Sequence, residues 1–372
     1  MTRHPFVPET SNLHVVRFEP LVPPGKLLAE LPSPPEVNRH VARAREEVRA
    51  ILSGRDPRLL VVAGPCSIHD PVAAMEYARR LAALRERVAG TMCLFMRVYF
   101  EKPRTTVGWK GLINDPRLDG SRDMAAGLRL ARRLLLEINA LGLPAANELL
   151  GPVVAQYIAD QVAWTAVGAR TVESQTHREM ASGLSMPVGF KNGTDGNLQV
   201  ALDGMVASGG PHSFLGLDEG GRVAVVHTSG NPDRHLVLRG GGGRTNFDAA
   251  SVRGAVELLR RVGLAARVMV DCSHGNSDKD HTRQAPVLRD VVGQIVAGSG
   301  DIMGVMLESH LGAGNQRLQG DPSTLKYGVS ITDACIDWDT TASLLLEADA
   351  VLKQAGRTLA PQDRLGILRS GT

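Results

Sequence analysis

An α/β fold, specifically a (β/α)8 TIM barrel with an N-terminal extension and a β-hairpin inserted before strand six, is what this sequence predicts. Three observations lead there. Short apolar, β-rich runs recur along the chain, each followed by a polar or Gly-rich loop and then usually by a helical pattern. Such alternation signals a parallel sheet buried on both faces. The runs number eight, and eight βα units spread over roughly 250 to 320 residues match a closed barrel. The rival, an open doubly wound sheet, lacks its glycine fingerprint, because the first run leads into Ala63-Gly64-Pro65-Cys66 with proline in the turn.

Residues 1–36 carry Pro5, Pro8, Pro20, Pro23, Pro24, Pro32, Pro34 and Pro35. Proline at this density disfavours long helices, so the segment reads as an extended arm, free or packed on another subunit. Leu13–Phe18 reads as a short strand within it. The barrel is expected over residues 37–372, opening with a helix from Val37 to about Leu52 that Ser53-Gly54 closes. The barrel strands are Leu59–Ala63, Leu94–Tyr99, Pro144–Asn147, Thr165–Ala169, Val188–Lys191, Leu236–Arg239, Arg267–Val270 and Met303–Leu307. One pair of runs breaks the alternation. Ser213–Leu217 and Val223–Thr228 are separated only by residues 218–222, too few for a helix, and so form a hairpin over about 212–229. Gly240–Gly243 follows a strand but lacks the Gly-Lys-Ser/Thr ending of a phosphate loop.

Composition narrows the class. The 42 Lys and Arg nearly balance 39 Asp and Glu, a net charge of +3, which argues against a nucleic-acid partner. A hydrophobic fraction of 43% argues against disorder. The four cysteines form no CxxC pair, which suggests reduced thiols and a cytoplasmic protein. Met1 to Asn12 lacks a signal-peptide apolar core, and no run approaches the ~20 apolar residues of a membrane span.

Barrel chemistry sits at the C-terminal strand ends, so those positions belong together. Arg97, Lys102, Arg104, Arg170, Lys191 and Arg239 all fall there. Any one of them could be a solvated surface charge. Arg97 is harder to dismiss, because it lies within Met96–Phe100, and an arginine on a barrel strand needs an anion. Together the cations read as a pocket for more than one phosphate or carboxylate. Cys66, His274, Glu308 and Asp333 also lie at or after strand ends. A thiol, an imidazole and two carboxylates suit one borderline divalent ion: Mn, Fe, Co or Zn. The plainer readings stay open: Cys66 as a buried thiol, His274 as structural, Glu308 as an arginine partner, Cys272 as a rival ligand. Cys93 and Cys335 read as structural.

Long stretches resemble one family, the type I 3-deoxy-D-arabino-heptulosonate 7-phosphate (DAHP) synthases. They include Gly64-Pro65-Cys66-Ser67-Ile68-His69-Asp70, the run from Arg97 to Gly111, Gly168-Ala169-Arg170-Thr171 and Gly189 to Gly196. Leu238-Arg239-Gly240-Gly241 and Ser330 to Cys335 complete the likeness, which spans about Val37 to Leu352. The resemblance implies a metal-dependent condensation of phosphoenolpyruvate with D-erythrose 4-phosphate, the first step of aromatic amino-acid synthesis. It implies Cys66, His274, Glu308 and Asp333 on the metal, with Arg97, Lys102, Arg170, Lys191 and Arg239 on phosphoenolpyruvate. Arg104 and Thr105 would receive the phosphate of erythrose 4-phosphate. Lys102 and His274 are the candidate catalytic residues, Lys102 as proton donor to the new alkoxide or as charge partner only. The alternatives are a 3-deoxy-octulosonate 8-phosphate synthase-like enzyme and a non-catalytic, effector-binding relative.

The same resemblance implies feedback inhibition, at a site matched here by Asn12, Gln156, Met180, Leu184, Ser185, Phe214, Gly216 and Val226. Gly216 stands where phenylalanine-sensitive members carry serine, so tyrosine is the expected inhibitor. Ala155 departs from the Pro-Gln pair usual in the family, losing a rigid turn element. A homodimer or homotetramer is expected.

Overall fold

A computed structural model describes residues 10–318 and 320–359. Ahead of the barrel come α1 (Pro24–Glu30) and α2 (Pro35–Leu52). The chain then runs β1 (Leu59–Gly64), α3 (Pro71–Val88), β2 (Met92–Arg97), α4 (Met124–Ala140), β3 (Ala145–Glu148), α5 (Pro152–Ile158), β4 (Trp164–Val167) and α6 (Gln175–Ser182). After β5 (Val188–Lys191) and α7 (Gln199–Ser208) comes the antiparallel pair β6 (His212–Leu217) and β7 (Val223–Thr228). β8 (Arg234–Leu238), α8 (Ala249–Arg261), β9 (Val268–Asp271), α9 (Gln284–Val296), β10 (Ile302–Glu308) and α10 (Trp338–Gln354) complete it.

Eight of these strands close a parallel barrel in the order β1-β10-β9-β8-β5-β4-β3-β2, while β6 and β7 stand apart as a two-stranded sheet. The eight predicted runs thus match the barrel strands, and the hairpin precedes the sixth. Helix starts are written locally. Proline occupies the first turn of α2, α3 and α5, and Asp70, Asp123, Asp248 and Asp337 cap α3, α4, α8 and α10 through backbone N–H groups.

Period-two alternation sorts each strand into two cores. One set (Val61, Leu94, Phe190, Leu236 and Val270 among them) faces the surrounding helices. The other (Leu60, Val62, Phe95, Ala146, Trp164, Val237, Met269 and Met306) fills the barrel. Val41, Ala44, Val48 and Ile51 of α2 join this inner set, so α2 plugs the N-terminal end of the barrel. The opposite end is left for chemistry.

The arm differs from the expectation. Residues 13–18 form no strand, with Val16 97% and Phe18 78% exposed. Residues beyond them fold into α1 rather than staying extended, and they pack on the same chain. Tyr157 Oη donates to Val22 O at 2.7 Å, Arg132 Nε to Leu31 O at 2.8 Å, and Gly25 N to Glu219 O of the hairpin turn at 2.8 Å. Pro24 opens α1, where a missing N–H costs nothing, so proline density here marked a short helix.

Candidate active site

Strand parity builds the site. Cys93 and Phe95 point into the barrel, so Arg97, two residues on, does too. The same step carries Ala146 to Glu148, Val237 to Arg239, Met269 to Asp271 and Met306 to Glu308. On β5, Val188 and Phe190 face the helices, leaving Lys191 inward. The uppermost inward layer is therefore three cations and three carboxylates above an apolar core. Gly64 ends β1 in the same layer at φ 153°, where an added Cβ would lie 3.0 Å from the backbone of Arg97. Only glycine admits that approach.

The layer is internally paired. Arg97, fully buried, puts Nη2 3.1 Å from Glu308 Oε1 and Nε 3.3 Å from Pro65 O, with its guanidinium 3.9 Å above the Tyr99 ring. The anion expected for Arg97 is thus a carboxylate of the protein itself. Lys191 Nζ lies 3.1 Å from Asp271 Oδ2 and 4.0 Å from Glu148. Burial opposes ionisation of Glu308, but His274, Arg97 and Lys102 outweigh it and hold the carboxyl down to about 2. Burial likewise opposes ionisation of Asp271, which His274 and Lys191 nevertheless keep well below the carboxylate range. Ser273 Oγ donates to Glu308 Oε2 at 2.8 Å, and the Gln284 amide clamps the Glu308 backbone on both sides, at 2.8 and 2.9 Å.

Beside this layer the donor atoms of Cys66, Glu308 and Asp333 all lie within 4.8 Å of one another. His274 Nε2 is 3.7 Å from Glu308 Oε1, and its Nδ1 is 2.9 Å from Asp271 Oδ2. His274 therefore borders the three-residue cluster without joining it. Its backbone sits at φ 55°, an uncommon conformation for a residue with a side chain. Burial, then the Glu308 carboxylate, push the Cys66 thiol up to about 12, against the pull of the Lys102 ammonium 3.1 Å away. A thiol so resistant to ionisation becomes a thiolate when a cation replaces its proton, so this donor set fits a divalent ion. Cys272 is no rival: parity turns it outward into the helix-facing core.

A cavity of about 340 Å³ opens over this cluster, lined by Lys102, Arg170, Lys191 and Arg239 together with Glu148, His274, Glu308 and Asp333. Arg170 Nη1 reaches only Pro103 O, at 3.3 Å, and Arg239 Nη1 only Gly240 O, at 3.1 Å. Among the described residues neither meets a carboxylate within ion-pair distance, which leaves both guanidiniums available to an anion. Arg97 does not reach the cavity wall. Arg104 and Thr105 lie exposed on the loop after β2, outside the wall as well. The sequence reading missed Asp271, Ser273 and Gln284, which brace the layer, and Lys279, which lines the cavity. Parity along β9 was the available signal for Asp271; none marked Gln284.

A second cavity, about 480 Å³, lies between α5, α6 and the hairpin. Gln156, Met180, Leu184, Ser185, Phe214 and Val226 line it, as does Ala155. Gly216 stands just behind, where an added Cβ would lie 2.7 Å from Val226 Cγ2. Asn12 is exposed and not part of the lining.

Comparison with known proteins follows the same lines. The sequence profile of the DAHP synthetase I family matches residues 37–346. A phospho-2-dehydro-3-deoxyheptonate aldolase of Escherichia coli K12, Tyr-sensitive, is 53% identical over 91% of this chain and 94% of its own length. The Phe-sensitive enzyme of the same organism is 54% identical over 94% of this chain and 99% of its own. The structure of the phospho-2-dehydro-3-deoxyheptonate aldolase of Francisella tularensis superposes with a TM-score of 0.88 at 45% identity, covering 91% of this chain and 98% of that one. A paired charge layer capped by a thiol–carboxylate cluster, in a chain this similar throughout, places the protein in the DAHP synthetase I family.

Proposed function

We infer that the chain is a 3-deoxy-7-phosphoheptulonate synthase, condensing phosphoenolpyruvate with D-erythrose 4-phosphate to give DAHP and phosphate. One observation carries this reading: Lys102, Arg170, Lys191 and Arg239 converge on a single cavity that Glu308 and Asp333 of the Cys66–Glu308–Asp333 cluster also line. Arg170, Lys191 and Arg239 would hold the phosphate of phosphoenolpyruvate. Arg104 and Thr105, on their exposed loop, would receive the phosphate of the second substrate. Arg97 has its charge committed to Glu308, so its contribution is to orient that carboxylate and add positive potential from beneath.

Cys66, His274, Glu308 and Asp333 would hold the divalent ion, His274 after a small ring movement. An ion held there would supply Lewis-acid polarisation of the aldehyde oxygen of erythrose 4-phosphate. The cations fix two phosphorylated molecules with the enol carbon facing the aldehyde, which turns a bimolecular encounter into a positioned reaction. As the new carbon–carbon bond forms, Lys102 can give a proton to the alkoxide. Burial would lower its ammonium, but Cys66, Glu308, Asp333 and Glu148 raise it above the ordinary lysine value, so it arrives protonated. Water then adds to the former enol carbon and phosphate leaves.

The second cavity supports feedback control by tyrosine. Identity to the Tyr-sensitive relative, 53%, and to the Phe-sensitive one, 54%, does not separate the two, so the argument rests on local shape. The missing side chain at Gly216 leaves depth for a phenol, and Ser185, with the mutually bonded Ser182–Thr228 pair, puts hydroxyls on the cavity wall. Leu215, Val223 and Val225 make an apolar outer face on the hairpin, 79%, 81% and 56% exposed, which supports a homodimer or homotetramer. Free buried cysteines support a cytoplasmic setting, and no helix among the described residues is long and apolar enough to cross a membrane. The test is turnover after chelation, with Mn, Fe, Co and Zn restored singly and tyrosine, phenylalanine or tryptophan added in turn. Absence of phosphate release from the two substrates under every condition would overturn the assignment.

A further inference from the structure

Two of the candidate metal ligands sit on very different supports. Cys66 follows β1 directly and is fully buried. Asp333 is exposed, on the long loop between β10 and α10 that spans residues 309–337. Such a loop has many conformations available, and holding its carboxylate at a thiol beyond the neighbouring strand β1 has an entropic cost. Backbone contacts anchor the loop's far end, where Ile336 N donates to Glu308 O and His310 N to Ile336 O. With the Cys335–Gly314 pair and the Gln316 N to Ser330 O bond they fix the backbone on either side, and the Asp333 carboxylate is left to side-chain contacts.

The residues immediately beside the two ligands are joined. Ser67 Oγ and Thr332 Oγ1 lie 2.7 Å apart, and Ser67 is fully buried. Thr332 is fixed in turn on its other sides. Its N donates to Ser330 Oγ at 3.1 Å, and its O accepts from Asn315 Nδ2 at 2.8 Å. The outcome is visible at the ligands: Asp333 N lies 3.4 Å and Asp333 Oδ2 3.7 Å from Cys66 Sγ. We propose that the Ser67–Thr332 hydroxyl pair is a latch that holds the Asp333 and Cys66 donor atoms together before the ion arrives, and so sets metal affinity. Both are positioning residues. Neither hydroxyl is part of the donor cluster itself.

The proposal rests on the metal reading above, and titration of the purified apoprotein with Co²⁺ alone separates the two. Calorimetry gives the affinity, and the near-ultraviolet thiolate-to-cobalt band reports Cys66 ligation. Ser67→Ala and Thr332→Val should each weaken Co²⁺ binding about tenfold or more, the usual range for groups that orient ligands. The double variant should be no weaker than the poorer single variant, because either change opens the same latch. Thr332→Ser keeps the hydroxyl and should bind within about threefold of the parent. It also decides the matter against Thr332→Val should the alanine variant not fold. A purely structural role would lower the apoprotein's melting temperature and leave Co²⁺ affinity alone. The latch is refuted if the single variants bind as the parent does, if their effects multiply in the double variant, or if Thr332→Ser is as weak as Thr332→Val. A parent protein that shows no thiolate band with Co²⁺ overturns the metal reading as well.

Discussion

Replacing Arg97 by methionine removes the buried guanidinium in contact with Glu308 while keeping most of its volume. Both side chains are wholly inaccessible to solvent, and they meet at 3.1 Å. In the parent the Glu308 carboxyl is held near 2 rather than the ordinary 4.5, which corresponds to about 3 kcal/mol of stability. That stability is fully present above about pH 4.5 and is lost as pH falls toward 2. It agrees with the roughly 3–5 kcal/mol expected for breaking a buried pair and stranding one charge. In the variant burial is opposed by His274 and Lys102 but no longer by Arg97, so the carboxyl rises from its depressed position and that part of the stability is lost. Urea unfolding of chelated protein should therefore show Arg97→Met weakened by about 3 kcal/mol at pH 8, with the gap to the parent narrowing as pH falls toward 2. A loss below about 1 kcal/mol at pH 8, or a gap that widens with acid, would refute the pairing argument.

Three further outcomes follow from the site. Cys66→Ala should lose bound divalent ion and with it metal-dependent turnover, so normal activity and metal content in that variant would remove the ligand assignment. Lys102→Met should lower kcat by about 10²- to 10⁴-fold if the ammonium supplies a proton in the rate-determining region; a loss confined to KM would reduce its role to charge pairing. Gly216→Ser places a Cβ 2.7 Å from Val226 Cγ2 at the back of the second cavity. The tyrosine concentration for half-inhibition should rise about tenfold, equivalent to ~1.4 kcal/mol, and unchanged sensitivity would dismiss tyrosine from that cavity.

The architecture was legible in the amino-acid pattern, and so were the residues that line the candidate site. Apolar runs of strand length, broken by polar loops, set eight barrel strands, and a five-residue gap at 218–222 could hold only a turn, which made the hairpin unambiguous. The cations and the candidate donor residues were picked out by reading strand ends together, because a parallel barrel brings all of those ends to one face. Local chemistry carried that much. Proline density misled in the arm, where Pro24 begins a helix instead of preventing one.

What the tertiary structure decided is who meets whom. Parity says that Arg97, Asp271 and Glu308 point inward. It does not say that they share a layer, because the register between strands, such as Gly64 opposite Glu308, arises from barrel closure and not from any one segment. Register put Arg97 against Glu308, left Arg170 and Arg239 without a carboxylate partner among the described residues, and set His274 just outside the donor cluster. The Ser67–Thr332 contact joins positions 265 apart in the chain. No periodicity or local propensity encodes such a pair, since the two residues become neighbours only when the last loop folds back over the first strand.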